Sequence, residues 1–187
     1  SSLMLKLGIV ADEINRDFRE ATRLGVQAGL RRYEIRFLKS GRAPICDPAE
    51  LREIERICEG ENLQITALSP GLFKWTDSVE KFEREMAEVF PRSVELAKRW
   101  NLSSLVIFGF CKPGATEENA DLISSDNPQQ KANWVIDCLA EAAAKAEEAG
   151  LRLLIEPEPI CWADTGAATV NLIRQTGSTA ISINYDP

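Results

Sequence analysis

An α/β fold on a parallel sheet is what this 187-residue sequence predicts, and three observations predict it. Six short β-type runs alternate strictly with five helical patterns. The fourth and fifth β-runs, Leu105–Phe110 and Leu151–Ile155, are largely apolar. The stretch after the first run, Ala11-Asp12-Glu13-Ile14-Asn15, contains no glycine. Alternation implies parallel strands joined by right-handed helical crossovers. Apolar central strands fit a sheet covered on both faces. A doubly wound sheet would be complete at six strands but should carry a Gly-rich phosphate loop after its first. The missing glycine favours the other architecture, a (β/α)8 barrel. At about 34 residues per unit such a barrel takes roughly 270, within the usual range of about 200 to over 400. On this reading residues 1–187 form a single TIM-barrel domain that holds strands 1–6 and helices 1–5, its C-terminal quarter absent.

The elements follow in order. Leu5–Ala11 reads as the first strand, and a helix runs from an Asn15 cap through Phe18, Ala21, Leu24 and Val26 to Gly29. Arg32–Phe37 is the second strand. Asp47-Pro48-Ala49-Glu50 starts the next helix, with Asp as N-cap, Pro at N1 and Glu at N3. Its apolar face is Leu51, Ile54, Ile57 and Cys58, and Gly60 is expected to close it. Leu63–Leu68 is the third strand. A long helix begins at Ser78, and Pro91 is expected to kink or divide it. After the fourth strand and a polar loop, Asn127-Pro128 opens an Ala-rich helix that ends at Gly150. The fifth strand reaches Glu156, a helix runs from Thr165 to Gly177, and Ala180–Tyr185 is the sixth strand.

Composition narrows the chemistry. The chain is 44% hydrophobic and 27% charged with a net charge of −7. Its Lys and Arg residues are scattered, whereas a nucleic-acid surface needs a basic stripe. No apolar run approaches the roughly 18–20 residues of a membrane span, and no signal pattern opens the chain. The expectation is a cytoplasmic protein without nucleic-acid or membrane partners. The five cysteines show no CxxC spacing and read as reduced thiols. There is no histidine, which removes Ser-His-Asp and Cys-His nucleophilic catalysis from this chain's own repertoire.

In either architecture the ligand site lies at the C-terminal ends of the strands. There the sequence is acidic and polar: Asp12 and Glu13, then Glu34 and Arg36, then Lys112, then Glu156, Glu158 and Trp162, then Asn184 and Asp186. Period-2 alternation puts Glu34 with Arg36, Glu156 with Glu158, and Asn184 with Asp186 on shared strand faces. Carboxylates converging from adjacent strands would repel unless one stayed protonated or a cation joined them. A divalent metal held by Glu156 and Asp186 resolves this. All-oxygen ligation favours Mg²⁺ or Mn²⁺, with Co²⁺ or Zn²⁺ as alternatives. Plainer readings stand beside these. Glu156 also reads as a helix-capping acid, Asp186-Pro187 as a turn and Glu34–Arg36 as a structural ion pair. Glu158 also reads as an exposed acid and Trp162 as core or lid.

Longer stretches carry a family likeness. They are Gly8–Ile14, Tyr33–Arg36, Ala67–Lys74, Val106–Phe110, Leu154–Pro159 with Ala163–Gly166, and Ile183–Pro187. Together they resemble the sugar phosphate isomerase/epimerase superfamily, the xylose-isomerase-like TIM barrels. The resemblance implies that Glu156 and Asp186 are two of four metal ligands. A His and a second Glu from later strands, without counterpart here, would complete the set. It implies a small sugar, sugar phosphate or polyol-derived keto compound as substrate, with Glu156 as catalytic acid/base and Glu34, Arg36, Lys112, Glu158 and Trp162 as substrate contacts. The alternative is a non-catalytic sugar- or metabolite-binding domain using the same mouth, or an inactive fragment. With the later strands missing, isomerase turnover by these residues alone is not expected, and open barrel edges would favour homo-oligomers. An abasic-site endonuclease of the same superfamily would need a His-rich zinc cluster, which a chain without histidine lacks.

Overall fold

The computed structural model describes residues 8–120 and 132–184. Its first half runs β1 (Ile9–Val10), α1 (Ala11–Ile14), α2 (Phe18–Gln27), β2 (Arg32–Ile35), β3 (Phe37–Leu38), β4 (Gly41–Arg42), α3 (Pro48–Glu61) and β5 (Gln64–Leu68). The second half runs α4 (Val79–Ala87), α5 (Val89–Arg99), β6 (Ser104–Phe108), α6 (Ala132–Glu148), β7 (Arg152–Glu156), α7 (Gly166–Thr176) and β8 (Ile181–Ile183).

Six of these strands are parallel and follow chain order. One ladder is β1-β2-β5 and another is β6-β7-β8. β5 lies beside β6, and just beyond it the Phe108 amide donates to Leu72 O at 2.9 Å. A doubly wound sheet places its first strand in the interior, with a neighbour on each side. Here β1 pairs with β2 alone among the described residues, and the order never reverses. That is barrel order, in an arc that does not close among the described residues.

The predicted elements exist, with shifted edges that have local causes. α2 starts later than expected: its cap is Asp17, which accepts from Arg19 N at 3.0 Å. Asn15 instead ends the short α1, and its Oδ1 accepts from Asp17 N. Asp47 caps α3 through Ala49 N at 2.9 Å, with Pro48 behind it. α3 runs through Gly60 and stops at Asn62, which takes the left-handed conformation (φ 54°) that Asn tolerates. The helix expected to bend at Pro91 divides at Glu88. A proline ring clashes with the carbonyl four residues back; that residue is Ala87, where α4 ends. The expected Arg32–Phe37 strand stops at Ile35, and Phe37 joins an antiparallel hairpin, β3-β4, that the sequence reading did not contain. The expected helix start at Asn127-Pro128 lies outside the described residues.

The sheet has two chemically different faces. Tyr33, Ile35, Leu153 and Ile155 are fully buried against the helices, with Phe18, Ile54, Phe82, Leu139 and Leu172 opposite. Tyr33 meets Phe18 edge-on at 5.9 Å and donates its hydroxyl to Leu30 O. Burying each large apolar side chain contributes roughly 1.5–3 kcal/mol. Glu34 and Glu156 alternate with these residues, so they point to the other face.

Candidate active site

Asp12 is the second residue of α1, just after β1, and its side chain is almost buried. It accepts from Arg36 Nη2 at 2.8 Å and from Arg36 Nε at 3.1 and 3.2 Å, and also from Phe37 N at 3.2 Å. This two-pronged pair is the strong form of the carboxylate–guanidinium bond. It holds Arg36 charged, and the Asp12 hydrogen bond is the main cause. Arg36 thus makes its ion pair with Asp12.

Glu34, next to last in β2, and Glu156, the last residue of β7, are half-buried on the face away from the helices. Both charges act on Arg42, and Glu156 also acts on Arg36. Arg42 lies on the hairpin strand β4 and was absent from the sequence-derived site. Its Nε donates to Ser69 O and its Nη2 to Ser69 Oγ, each at 3.0 Å. The guanidinium lies over the Phe37 ring (4.7 Å) and the Phe108 ring (5.7 Å). Burial, then repulsion from Arg36, pushes it down to about 10. The one sequence clue to Arg42 was Ser40-Gly41, a turn dipeptide that folds the chain back over the strand ends.

The opposite rim is a set of loop-to-loop ties. Lys112, only 4% exposed, donates to Asp164 Oδ2 at 2.8 Å and to Pro159 O at 3.2 Å. The β6 and β7 loops also meet as an antiparallel bridge at Cys111 and Cys161. Lys112 N donates to Ile160 O, and Trp162 N donates to Phe110 O. Gly109 permits this approach, because a Cβ there would sit 2.2 Å from Ala163 Cβ. Glu158 faces Lys74 at 3.7 Å, and Trp162 is half-buried against the core. Burial pushes the Cys161 thiol up to about 12, so it stays protonated at neutral pH.

Below the rim, Phe73 and Phe110 stack face to face at 4.8 Å, both with left-handed backbone (φ 71° and 66°). Phe82 and Trp134 close on the stack. Glu85 from α4 reaches into the same loop, accepting from Phe73 N at 3.1 Å and from the Thr76 hydroxyl. Burial pushes its carboxyl up.

The structure therefore gathers Asp12, Glu34, Arg36, Arg42 and Glu156 at one end of the sheet. Lys112, Glu158 and Trp162 stand on the β6–β7 side of the same rim. Asp186 lies outside the described residues. Among the described residues no three His, Cys, Asp or Glu side chains gather closely enough to hold a metal ion, so they supply at most part of a ligand set. A cavity of about 470 Å³ opens at the other end of the strands, beside Arg32, Gln64, Trp100 and Leu102, away from the acids. No helix among the described residues is long and apolar enough to cross a membrane.

Comparisons with known proteins agree with this architecture. No curated protein matches the sequence, but solved structures do. A xylose isomerase-like TIM barrel protein from Mycobacterium smegmatis in complex with magnesium superposes at a TM-score of 0.67 with 19% identity, covering 98% of this chain and 62% of that one. The probable 3-DHS dehydratase AsbF of petrobactin synthesis from Bacillus anthracis gives 0.68 and 19%, with coverages of 94% and 61%. The IOLI protein with a binding zinc atom gives 0.61 and 16%, with 87% and 55%. The chain thus spans less than two thirds of the length of each of these structures. Residues 23–187 match the family described as xylose isomerase-like TIM barrel, and with strands in barrel order and acids at their C-terminal ends, the chain belongs to that family.

Proposed function

We propose that this chain forms the strand 1–6 portion of a divalent-metal-dependent isomerase or epimerase acting on a small sugar, sugar phosphate or keto compound. The observation that carries the reading is Glu156. It ends β7 on the mouth side, half-buried, and its charge acts on two guanidiniums at the C-terminal rim. Active sites of this architecture sit there.

Glu156 is the proposed acid/base, moving a proton at the carbon beside the substrate's carbonyl. Glu34 is placed to accept hydrogen bonds from substrate hydroxyls. Arg36, fixed by Asp12, keeps a positive charge beside the acids, while Lys112 and Glu158 position the loops and Trp162 offers a ring wall. Glu156 and Asp186 are the proposed metal ligands, and a bound Mn²⁺ or Mg²⁺ would polarise a carbonyl or hydroxyl of the substrate. The neighbours solved with zinc and with magnesium support a divalent cation without choosing one.

Titration of the chain with Mn²⁺, followed by its electron paramagnetic signal, tests the reading. Glu156→Gln is expected to weaken binding by about tenfold or more, since one of few charged ligands is lost. Equal affinity in wild type and variant removes Glu156 from the metal site. Ligand binding that ignores a chelator would point to a metabolite-binding domain instead.

A further inference from the structure

Two thiols face each other where the β6 and β7 loops join. Cys111 and Cys161 form the antiparallel bridge there. Its hydrogen bonds come from the flanking residues, Lys112 N to Ile160 O at 2.7 Å and Trp162 N to Phe110 O at 2.8 Å. The cysteines' own amides donate elsewhere, Cys111 N to Thr76 O and Cys161 N to Glu158 O. They are therefore a non-hydrogen-bonded pair, the closer kind. Such pairs hold their Cα atoms about 4.5 Å apart with both side chains on one face. A disulfide spans about 4.4–6.8 Å between Cα atoms, so this backbone already suits one.

The surroundings hold the pair in place. Cys111 is 4% exposed and Cys161 is fully buried. Gly109 packed on Ala163, and Lys112 bonded to Asp164, fix the loops beside them. Each sulfur makes only a weak thiol hydrogen bond, Cys111 Sγ to Lys112 O at 3.3 Å and Cys161 Sγ to Lys74 O at 3.7 Å. Burial, then a charge on Cys111, pushes the Cys161 thiol up to about 12, in keeping with two neighbouring sulfurs. The remaining cysteines are placed differently. Cys46 and Cys58 lie towards opposite ends of α3, roughly 16 Å apart, and Cys138 is on α6.

The geometry points to a modification site: Cys111 and Cys161 form a reversible disulfide that joins the β6 and β7 loops covalently. The oxidant is a small disulfide, oxidised glutathione in the simplest case. Cys111, the less enclosed sulfur, attacks it as the thiolate and releases one thiol. Cys161 then attacks the Cys111 sulfur and releases the second. One S–S bond breaks and one forms, and the protons lost by the two cysteines end on the two thiols released. Burial disfavours both thiolates, so exchange is slow at neutral pH and quickens as pH rises. The link would clamp one side of the mouth, where the Lys74 and Thr76 carbonyls also meet the pair. Neither cysteine is a proposed ligand or acid/base, so the site stands apart from the metal reading.

The test is equilibration of the full chain in glutathione buffers of graded oxidised share, approached from both the reduced and the pre-oxidised chain. Acid quenching and peptide mapping without reduction then give the fraction of chains linked between Cys111 and Cys161. That link is expected to form first among the cysteines. In urea it should need an oxidised share larger by about tenfold or more, because an unfolded loop of this length rarely brings its ends together. Cys111→Ala and Cys161→Ala should each abolish it, and the triple variant Cys46→Ala, Cys58→Ala, Cys138→Ala should retain it. The oxidised chain should unfold at a higher temperature than the reduced one, by about 5 °C, a shift absent from Cys161→Ala. A folded chain that links another pair first overturns the proposal. So does one that carries no Cys111–Cys161 link in the most oxidising buffer, or that forms it no more readily than in urea. The map is read on the wild-type chain, so a variant that fails to fold leaves the answer standing.

Discussion

Glu85 shows how far a single side chain's setting departs from what its letter conveys. In the sequence it is one acid among several on an amphipathic helix; in the structure it is turned inward to hold Phe73 N and Thr76. Burial outweighs both hydrogen bonds and raises its proton affinity above the ordinary value of 4.5. A folded-state value above the unfolded one means the folded chain holds this proton longer. Its contribution to stability is therefore full below the ordinary value and is lost as pH rises through the raised one. Glu85→Gln keeps an acceptor for Phe73 N and a donor for Thr76 without the charge. Thermal unfolding of both forms from pH 4 to 7 should show the variant gaining on the wild type as pH rises; a gap that stays constant or closes would refute this. Asp12 and Arg36 were legible as strand-end charges, but their partnership was not. Pairing across 24 residues is a matter of which way two side chains turn, and no local pattern encodes it.

Elements were read best where a cap announces them. Asp47-Pro48 starts a helix with the capping bond the letters promised, and the helices expected from Ser78 and Thr165 start there with those side chains as caps. The β3-β4 hairpin was missed because its strands are two residues each, and Arg32–Phe37 alternates convincingly as one strand. That omission concealed Arg42. The loop pair after β6 and β7 was likewise invisible, since it depends on Gly109 lacking a Cβ where Ala163 packs. Gly109→Ala is expected to destabilise the fold by about 1–3 kcal/mol through overpacking. Adding Ala163→Gly should return part of the loss. Urea midpoints of the two single variants and the double variant decide it; simple additivity would mean the two residues do not share that contact.

At the scale of the molecule, strand order carried what composition could not. Alternation and a missing glycine pointed to a barrel, and β1 at the end of its ladder established barrel order. The two ladders differ in cover: β7 is bonded on both sides, to β6 and β8, and its Leu153 and Ile155 are fully buried. β1 has a single partner among the described residues and half-buried side chains. Native-state hydrogen exchange should find the β7 amides of Leu153 to Ile155 among the slowest and those of Ile9 and Val10 well ahead of them. Exchange at equal rates would place the stable centre elsewhere.

The rim formed after β6 and β7 behaves as one part rather than two. Gly109 against Ala163, the backbone bridge at Cys111 and Cys161, and Lys112 on Asp164 fasten the two loops at three successive points. Neither loop can be exchanged by itself. A graft that brings in a relative's 109–112 segment while keeping 158–164 would seat a foreign backbone against an unmatched surface and strand Asp164 without its lysine. For anyone re-engineering selectivity in this scaffold, the unit of inheritance on that side of the mouth is the loop pair.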